Sequence, residues 1–288
     1  MGEAAGTSDE IPPDLLRQAR LFSEVLRGMD PVASYELPDG MRARFLALWQ
    51  YSCIDHPKLL DRLLPTDGAR RNWHDAFVNA VLGDVQEGVA AMEFHLEEIR
   101  VIESQLVAGI SAAAQRLHVD EPLTGAGGNS RRLDFAYQAH IFAARRTLEY
   151  FAGFVTAFFK QENPGFRHLA ERLSRARPVE LRDAALSALR DHDVVRDRVL
   201  SEGNTRSVRD CIAHWNTVPA GVVNVHIDAD GGCRVFLAGG GENLDGFELT
   251  SLTALADALE QAADEMVDMI FDTYAALNLL PTTDPSAS

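Results

Sequence analysis

The chain has 288 residues, 46% of them in the hydrophobic set and 24% charged, with 27 Lys+Arg against 43 Asp+Glu and a formal net charge of −16. This composition excludes a mainly disordered chain and is long enough for one large core or two small ones. The longest apolar run, residues 150–159, stops at Lys160, about half of the ~20 residues that cross a bilayer; the acidic opening MGEAAGTSDEIPPD lacks the basic and apolar regions of a secretory signal, so a cytoplasmic protein with no membrane partner is expected.

Cys53, Cys211 and Cys233 form no Cys-x-x-Cys pair, which predicts neither a disulfide framework nor a cysteine-based zinc site. Charge is unevenly placed. Residues 1–130 carry 11 Lys+Arg and 20 Asp+Glu, residues 131–220 carry 15 and 11, and residues 221–288 carry 1 and 12. Only the middle block is suited to phosphate, since like charges repel elsewhere. Arginine supplies 25 of the 27 cations, a preference that also arises as a general compositional bias.

Residues 1–11 and 281–288 read as polar tails. A first helix is expected to start near Pro12-Pro13-Asp14 and to run through Leu15, Leu16, Ala19, Phe22 and Val25 to Gly28. A second follows Asp39-Gly40, with Met41, Phe45, Leu48 and Trp49 on one stripe, to about Cys53; a shorter one is expected between Pro57 and Pro65. From 69 to about 117 there is no proline, and Phe77, Val81, Val85, Val89, Met92, Leu96, Ile99 and Ile102 recur at the helical period. Gly83, Gly88 and Gly109 weaken this run, which predicts two helices or one long bent one.

Residues 121–130, EPLTGAGGNS, read as a linker and mark the expected domain boundary between a helical region over 12–120 and a second domain over 131–280. A strongly apolar helix is predicted over 133–159, broken at Asn163-Pro164-Gly165. Further helices are expected over 166–176, from Val179 to about Glu202, and over 206–216 before Pro219. Val222, Val223, Val225 and Ile227, then Asp228-Ala229-Asp230-Gly231-Gly232, then Cys233, Val235, Phe236 and Leu237 predict a β-hairpin. A third strand is expected around 247–249, closing a β insertion at about 221–249. Thr250 or Ser251 then caps a last amphipathic helix through Leu255, Leu259, Ala262, Met266, Ile270 and Tyr274.

No dinucleotide-binding glycine motif, phosphate-binding Walker loop or nucleophile elbow is present, and Gly239-Gly240-Gly241 reads as a flexible turn. His95 lies among Glu93, Glu97 and Glu98, but at the wrong offset for a four-helix di-metal site, so a solvated helix face is expected. Asp191-His192-Asp193 are adjacent on a helix and point in different directions, which argues against a metal seat.

The remaining constellation is Arg209-Asp210-Cys211-Ile212-Ala213-His214, the one place where four residues separate an Arg from a following His. Spacing alone does not single it out, because 25 arginines and 9 histidines in this length give roughly one such pair by chance. Its setting adds more. An arginine followed by a polar residue and, four positions further on, by His214, on a late helix of a helical domain, resembles the motif of HEPN domains. The continuation Ala213-His214-Trp215-Asn216-Thr217, the hairpin and the closing helix resemble that superfamily too. The likeness covers residues 131 to about 280; the first half resembles nothing nameable, and Arg70 and His74 there have the wrong spacing.

The resemblance implies a mainly α fold, a HEPN-like helical bundle with a small β insertion before its last helix. It also implies a metal-independent endoribonuclease without cofactor, of toxin–antitoxin or phage-defence type, acting as a homodimer on RNA, with an antitoxin or regulator as protein partner. On that reading His214 moves protons, Arg209 holds the scissile phosphate and Asp210 orients one of them. Arg206 and Asn216 are additional substrate contacts. The other reading is a non-catalytic helical scaffold in which Arg209 and Asp210 make surface ion pairs and His214 packs with Trp215 at a helix end.

Overall fold

The computed structural model describes residues 37–51, 83–117, 120–192, 220–238 and 249–280, all of which belong to one compact unit, 37–288. Numbered over these residues, α1 is Asp39–Trp49, α2 Val85–Ala114, β1 Leu123–Asn129, α3 Arg131–Phe158, α4 Leu169–Leu173, α5 Val179–Asp191, β2 Val222–Ile227, β3 Cys233–Ala238, β4 Leu249–Ser251 and α6 Leu252–Ala276. The fold is mainly helical with one antiparallel sheet in the order β1-β2-β3-β4. The expected helices over 12–28 and 57–65, and the one over 206–216, lie outside the described residues.

The helical stripe of α2 is buried as its period requires: Val85, Val89, Met92, Leu96, Ile99 and Ile102 all face the interior. It packs chiefly on α3. Gly88, expected to weaken the run, instead lets the two helices meet, since a Cβ there would stand 2.4 Å from Thr147 Oγ1 and 3.1 Å from its Cα. Helix α3 starts where Ser130 Oγ accepts from the Leu133 N–H, an N-cap that meets one of the free amides of a first turn.

Two buried clusters divide the interior. One gathers Leu148, Phe151 and Phe154 of α3 around Met266, Ile270 and Tyr274 of α6, with Ala185 and Leu189 of α5 packed beside them. Its aromatic centre is close-packed, with the Phe154 and Tyr274 rings 4.5 Å apart and Phe271 and Tyr274 5.7 Å apart. The other joins Leu96, Ile99, Leu133 and Tyr137 to Val223, Val235 and Leu237 of the sheet and to Leu255 and Leu259 of α6. The sheet therefore covers the end of the bundle where α3 begins.

The hairpin forms as its alternating residues predict, in register from Val222↔Ala238 to Ile227↔Cys233. Its turn is closed by the Asp228 N–H donating to the Gly232 carbonyl, 2.8 Å. The third strand falls at Leu249–Ser251, slightly later than expected, and α6 follows at once.

Residues 121–130 require a correction. Most of the expected linker is β1, paired with β2 from Leu123↔Ile227 to Asn129↔Val222, and the helices on both sides of it pack together in one unit. The glycines act in the pairing. The register shifts between Ala126 and Gly128; Gly128 takes a φ of +93° and a Cβ on Gly127 would stand 3.3 Å from the Val223 carbonyl oxygen, the conformations and clearance a bulge asks of glycine. The helix expected over 166–176 is also shorter: a 3-10 turn at Phe166–His168 leads into α4, which ends at Leu173.

Candidate functional site

Arg206, Arg209, Asp210, His214 and Asn216 all fall within residues 193–219, outside the described residues. What the structure does describe is how the two ends of that segment are held. At the near end, His192, just past α5, has Nε2 2.9 Å from a carboxylate oxygen of Asp272 on α6. At the far end, the Ala220 N–H donates to Asp134 Oδ1 at 2.8 Å in a buried hydrogen bond. Asp134 is only 5% exposed and lies in the first turn of α3, where the free amides of a helix start favour a carboxylate. The described residues that flank the motif are thus held by α6 on one side and, in a buried contact, by α3 on the other. Neither tie was expected from the sequence, since each joins residues 80 or more positions apart.

His95 is half-buried, with Nδ1 3.1 Å from Glu98 on its own helix face. His192 serves its Asp272 contact. Among the described residues no group of three His, Cys, Asp or Glu is placed to hold a metal ion, and no helix is long and apolar enough to cross a membrane. Cys233 is a half-buried free thiol; Cys53 and Cys211 lie outside the described residues.

A polar relay on the sheet was not anticipated. Thr124 Oγ1 is 2.7 Å from His226 Nδ1, and His226 Nε2 is 3.1 Å from Asp228 Oδ1. A carboxylate only accepts, so Nε2–H donates to Asp228 and, in the neutral ring, Nδ1 accepts from the threonine hydroxyl. The connectivity is that of hydroxyl, base and carboxylate in nucleophilic catalysis. Its location is that of a cross-strand tie: Thr124 and His226 are direct partners in the β1–β2 ladder, and Arg234, the partner of His226 on β3, reaches Asp228 at 3.5 Å. As ladder partners, Thr124 and His226 hold the glycine-rich edge strand on the hairpin.

Where α2 and α6 run together the surface is acidic. Arg100 pairs with Glu260, and Arg44 with Asp268 at 2.9 Å, but carboxylates outnumber these cations. The Glu93 carboxyl is held above its usual range by burial first, then by Asp264 and Glu260; Asp264 is raised by burial, Glu260 and Asp268. Deeper, Glu103 is 3% exposed with Oε1 unpartnered, and burial pushes its carboxyl up to about 7. A phosphodiester is repelled from this ridge.

No family model, curated protein or solved structure matches the chain. What it does is carried by its own residues.

Proposed function

We propose that the protein is a metal-independent endoribonuclease of HEPN type, with Arg209 and His214 as its catalytic pair and a homodimer as its active form. The observation that supports this most is the bracketing of residues 193–219 by His192–Asp272 and Asp134–Ala220. The two anchors rest on α6 and α3 of the helical bundle, and a catalytic constellation needs support from such rigid elements. The hairpin and closing helix that follow the motif keep the order on which the resemblance rests.

The chemistry follows from the residue types. His214, an imidazole suited to proton transfer near neutrality, takes the 2′-hydroxyl proton. The 2′-oxygen forms a bond to phosphorus, the P–O5′ bond breaks, and the departing 5′-oxygen takes up a proton. Arg209 balances the charge that grows on the phosphorane oxygens, and Asp210 orients its neighbours by hydrogen bonding. Arg206 and Asn216 contact the strand. The products are a 2′,3′-cyclic phosphate and a 5′-hydroxyl.

On the helix expected over 206–216, five positions turn the chain by about 500°, which would set Arg209 and His214 some 140° apart around the axis. One helix cannot readily close both on one phosphate, whereas a two-fold pair of motifs can. Phe135 and Phe142, seven residues apart on α3 and 63% and 43% exposed, supply apolar surface for a second copy. A toxin or defence role, with an antitoxin or regulator that restrains the enzyme, belongs to the same proposal.

A second reading is favoured by the acidic ridge of α2 and α6: a non-catalytic scaffold that binds a basic protein. Incubation of purified protein with single-stranded RNA in EDTA separates the two. The ribonuclease predicts cutting that both Arg209→Ala and His214→Ala abolish with the circular dichroism spectrum unchanged. The scaffold predicts no cutting, or cutting indifferent to both substitutions.

A further inference from the structure

The segment that follows α3 concentrates cations in a protein of strongly negative net charge. Residues 160–177 hold Lys160, Arg167, Arg172, Arg175 and Arg177 against Glu162 and Glu171. The structure divides this segment into two faces. Phe166, Leu169 and Leu173 are buried in the main core, each 4% exposed or less. His168, Arg172 and Arg175, at i, i+4 and i+7, fall on another face and, with Pro164 and Glu171, line a cleft of about 270 Å³.

The wall of this cleft is pinned to α3. The Phe166 N–H donates to Glu149 Oε2 at 3.2 Å, Glu149 in turn pairs with Arg145 one turn earlier, and the Gly165 N–H donates to Asn163 Oδ1 at 2.9 Å. Backbone and buried side chains thus fix the face on which these cations sit. Among the described residues neither Arg172 nor Arg175 has a carboxylate within ion-pair distance. The one acid of the lining, Glu171, is 78% exposed and faces His168 at 3.8 Å. The lining, in which two of the five residues are arginines and none is a large hydrophobic side chain, does not suit an apolar ligand, whose pockets are lined mainly by hydrophobic side chains. It suits phosphate, which arginine meets with paired N–H donors.

We propose that this cleft binds the phosphodiester backbone of single-stranded RNA, with Arg172 and Arg175 as the contacting cations, as a second contact apart from the Arg209–His214 motif. The choice of RNA rests on the ribonuclease reading; the phosphate chemistry does not. The ridge of α2 and α6 turns the strand away, and the cleft gives it a place to dock.

The test is fluorescence anisotropy with a labelled single-stranded RNA 20-mer, using the full chain with His214→Ala so that the probe stays whole. Added Arg172→Gln with Arg175→Gln is expected to weaken binding at least tenfold. It should also reduce the slope of log K against log salt by about 1.4, the loss of two phosphate contacts on a single strand. A control, Arg116→Gln with Arg131→Gln, removes equal charge; Arg131 opens α3, about 40 Å along the helix from its other end. Its binding should fall by less than threefold. The inference is overturned if the parent binds no RNA, if the Arg172/Arg175 pair changes neither affinity nor slope, or if the control loses as much. Competition by inorganic phosphate at millimolar concentration, without any gain in affinity for the 20-mer over a mononucleotide, assigns the cleft to free phosphate and also overturns the RNA assignment. The two proposals fail separately: cleft-dependent binding by a protein that never cuts RNA sinks the ribonuclease alone, and cutting with cleft-independent binding sinks the cleft alone.

Discussion

At Tyr274 a phenol hydroxyl is fully enclosed among Phe151, Phe154 and Phe271 and finds no hydrogen-bond partner. Burial alone pushes its ionisation far upward, so the group stays neutral and bears only the desolvation of an unpaired hydroxyl. Tyr274→Phe removes that cost and keeps the ring contacts. The expected outcome is unchanged or higher stability, by up to about 1–2 kcal/mol, read as a higher urea midpoint with the same m-value. Residue by residue, the sequence exposes chemistry better than partnership. Arg209 and His214 are picked out by their residue types and the setting of their motif, whereas Asp134 and Asp272 are not, because their value comes from Ala220 and His192 far along the chain. The face made by His168, Arg172 and Arg175 was not read from the sequence, because its i, i+4, i+7 spacing gains meaning only once the buried Leu169 and Leu173 orient the segment.

At the scale of elements, the long helices are readable because each repeats apolar residues at 3.6 over many turns, as α2 and α6 do. β1 was not readable: Leu-Thr-Gly-Ala-Gly-Gly-Asn has no β-branched alternation, and its strand character is supplied by the ladder to β2 and the Thr124–His226 contact. Gly88 shows the opposite error, a helix weakness by propensity that is a packing requirement in context. Gly88→Ala gains about 1 kcal/mol of helix propensity, but the new methyl meets Thr147 near its backbone, which the α2–α3 contact cannot yield cheaply. The net expectation is destabilisation of about 1–3 kcal/mol, visible as a lower Tm.

For the molecule as a whole, stability and activity lead to separate tests. Glu103 has its folded carboxyl raised from 4.5 to about 7 by burial, so between those values the folded state holds a proton that the unfolded state has released. Its contribution to stability is therefore full below about pH 4.5 and is lost as pH rises through about 7, and the raised carboxyls of Glu93 and Asp264 act with the same sign. Glu103→Gln, neutral at every pH, should flatten this decline and raise the Tm at pH 8, with an upper bound of about 3 kcal/mol. A steeper decline in Glu103→Gln than in the parent would contradict the assignment. The central claim concerns the bond that is cut, and the ends of the cleaved RNA test it most directly. Mass spectrometry of fragments made in EDTA should show 2′,3′-cyclic phosphate and 5′-hydroxyl ends, with no cutting when the scissile nucleotide is 2′-deoxy or when His214 is replaced by Ala. Fragments ending in 3′-hydroxyl and 5′-phosphate, cutting that survives at the 2′-deoxy site, or RNA left intact by the parent protein would contradict it.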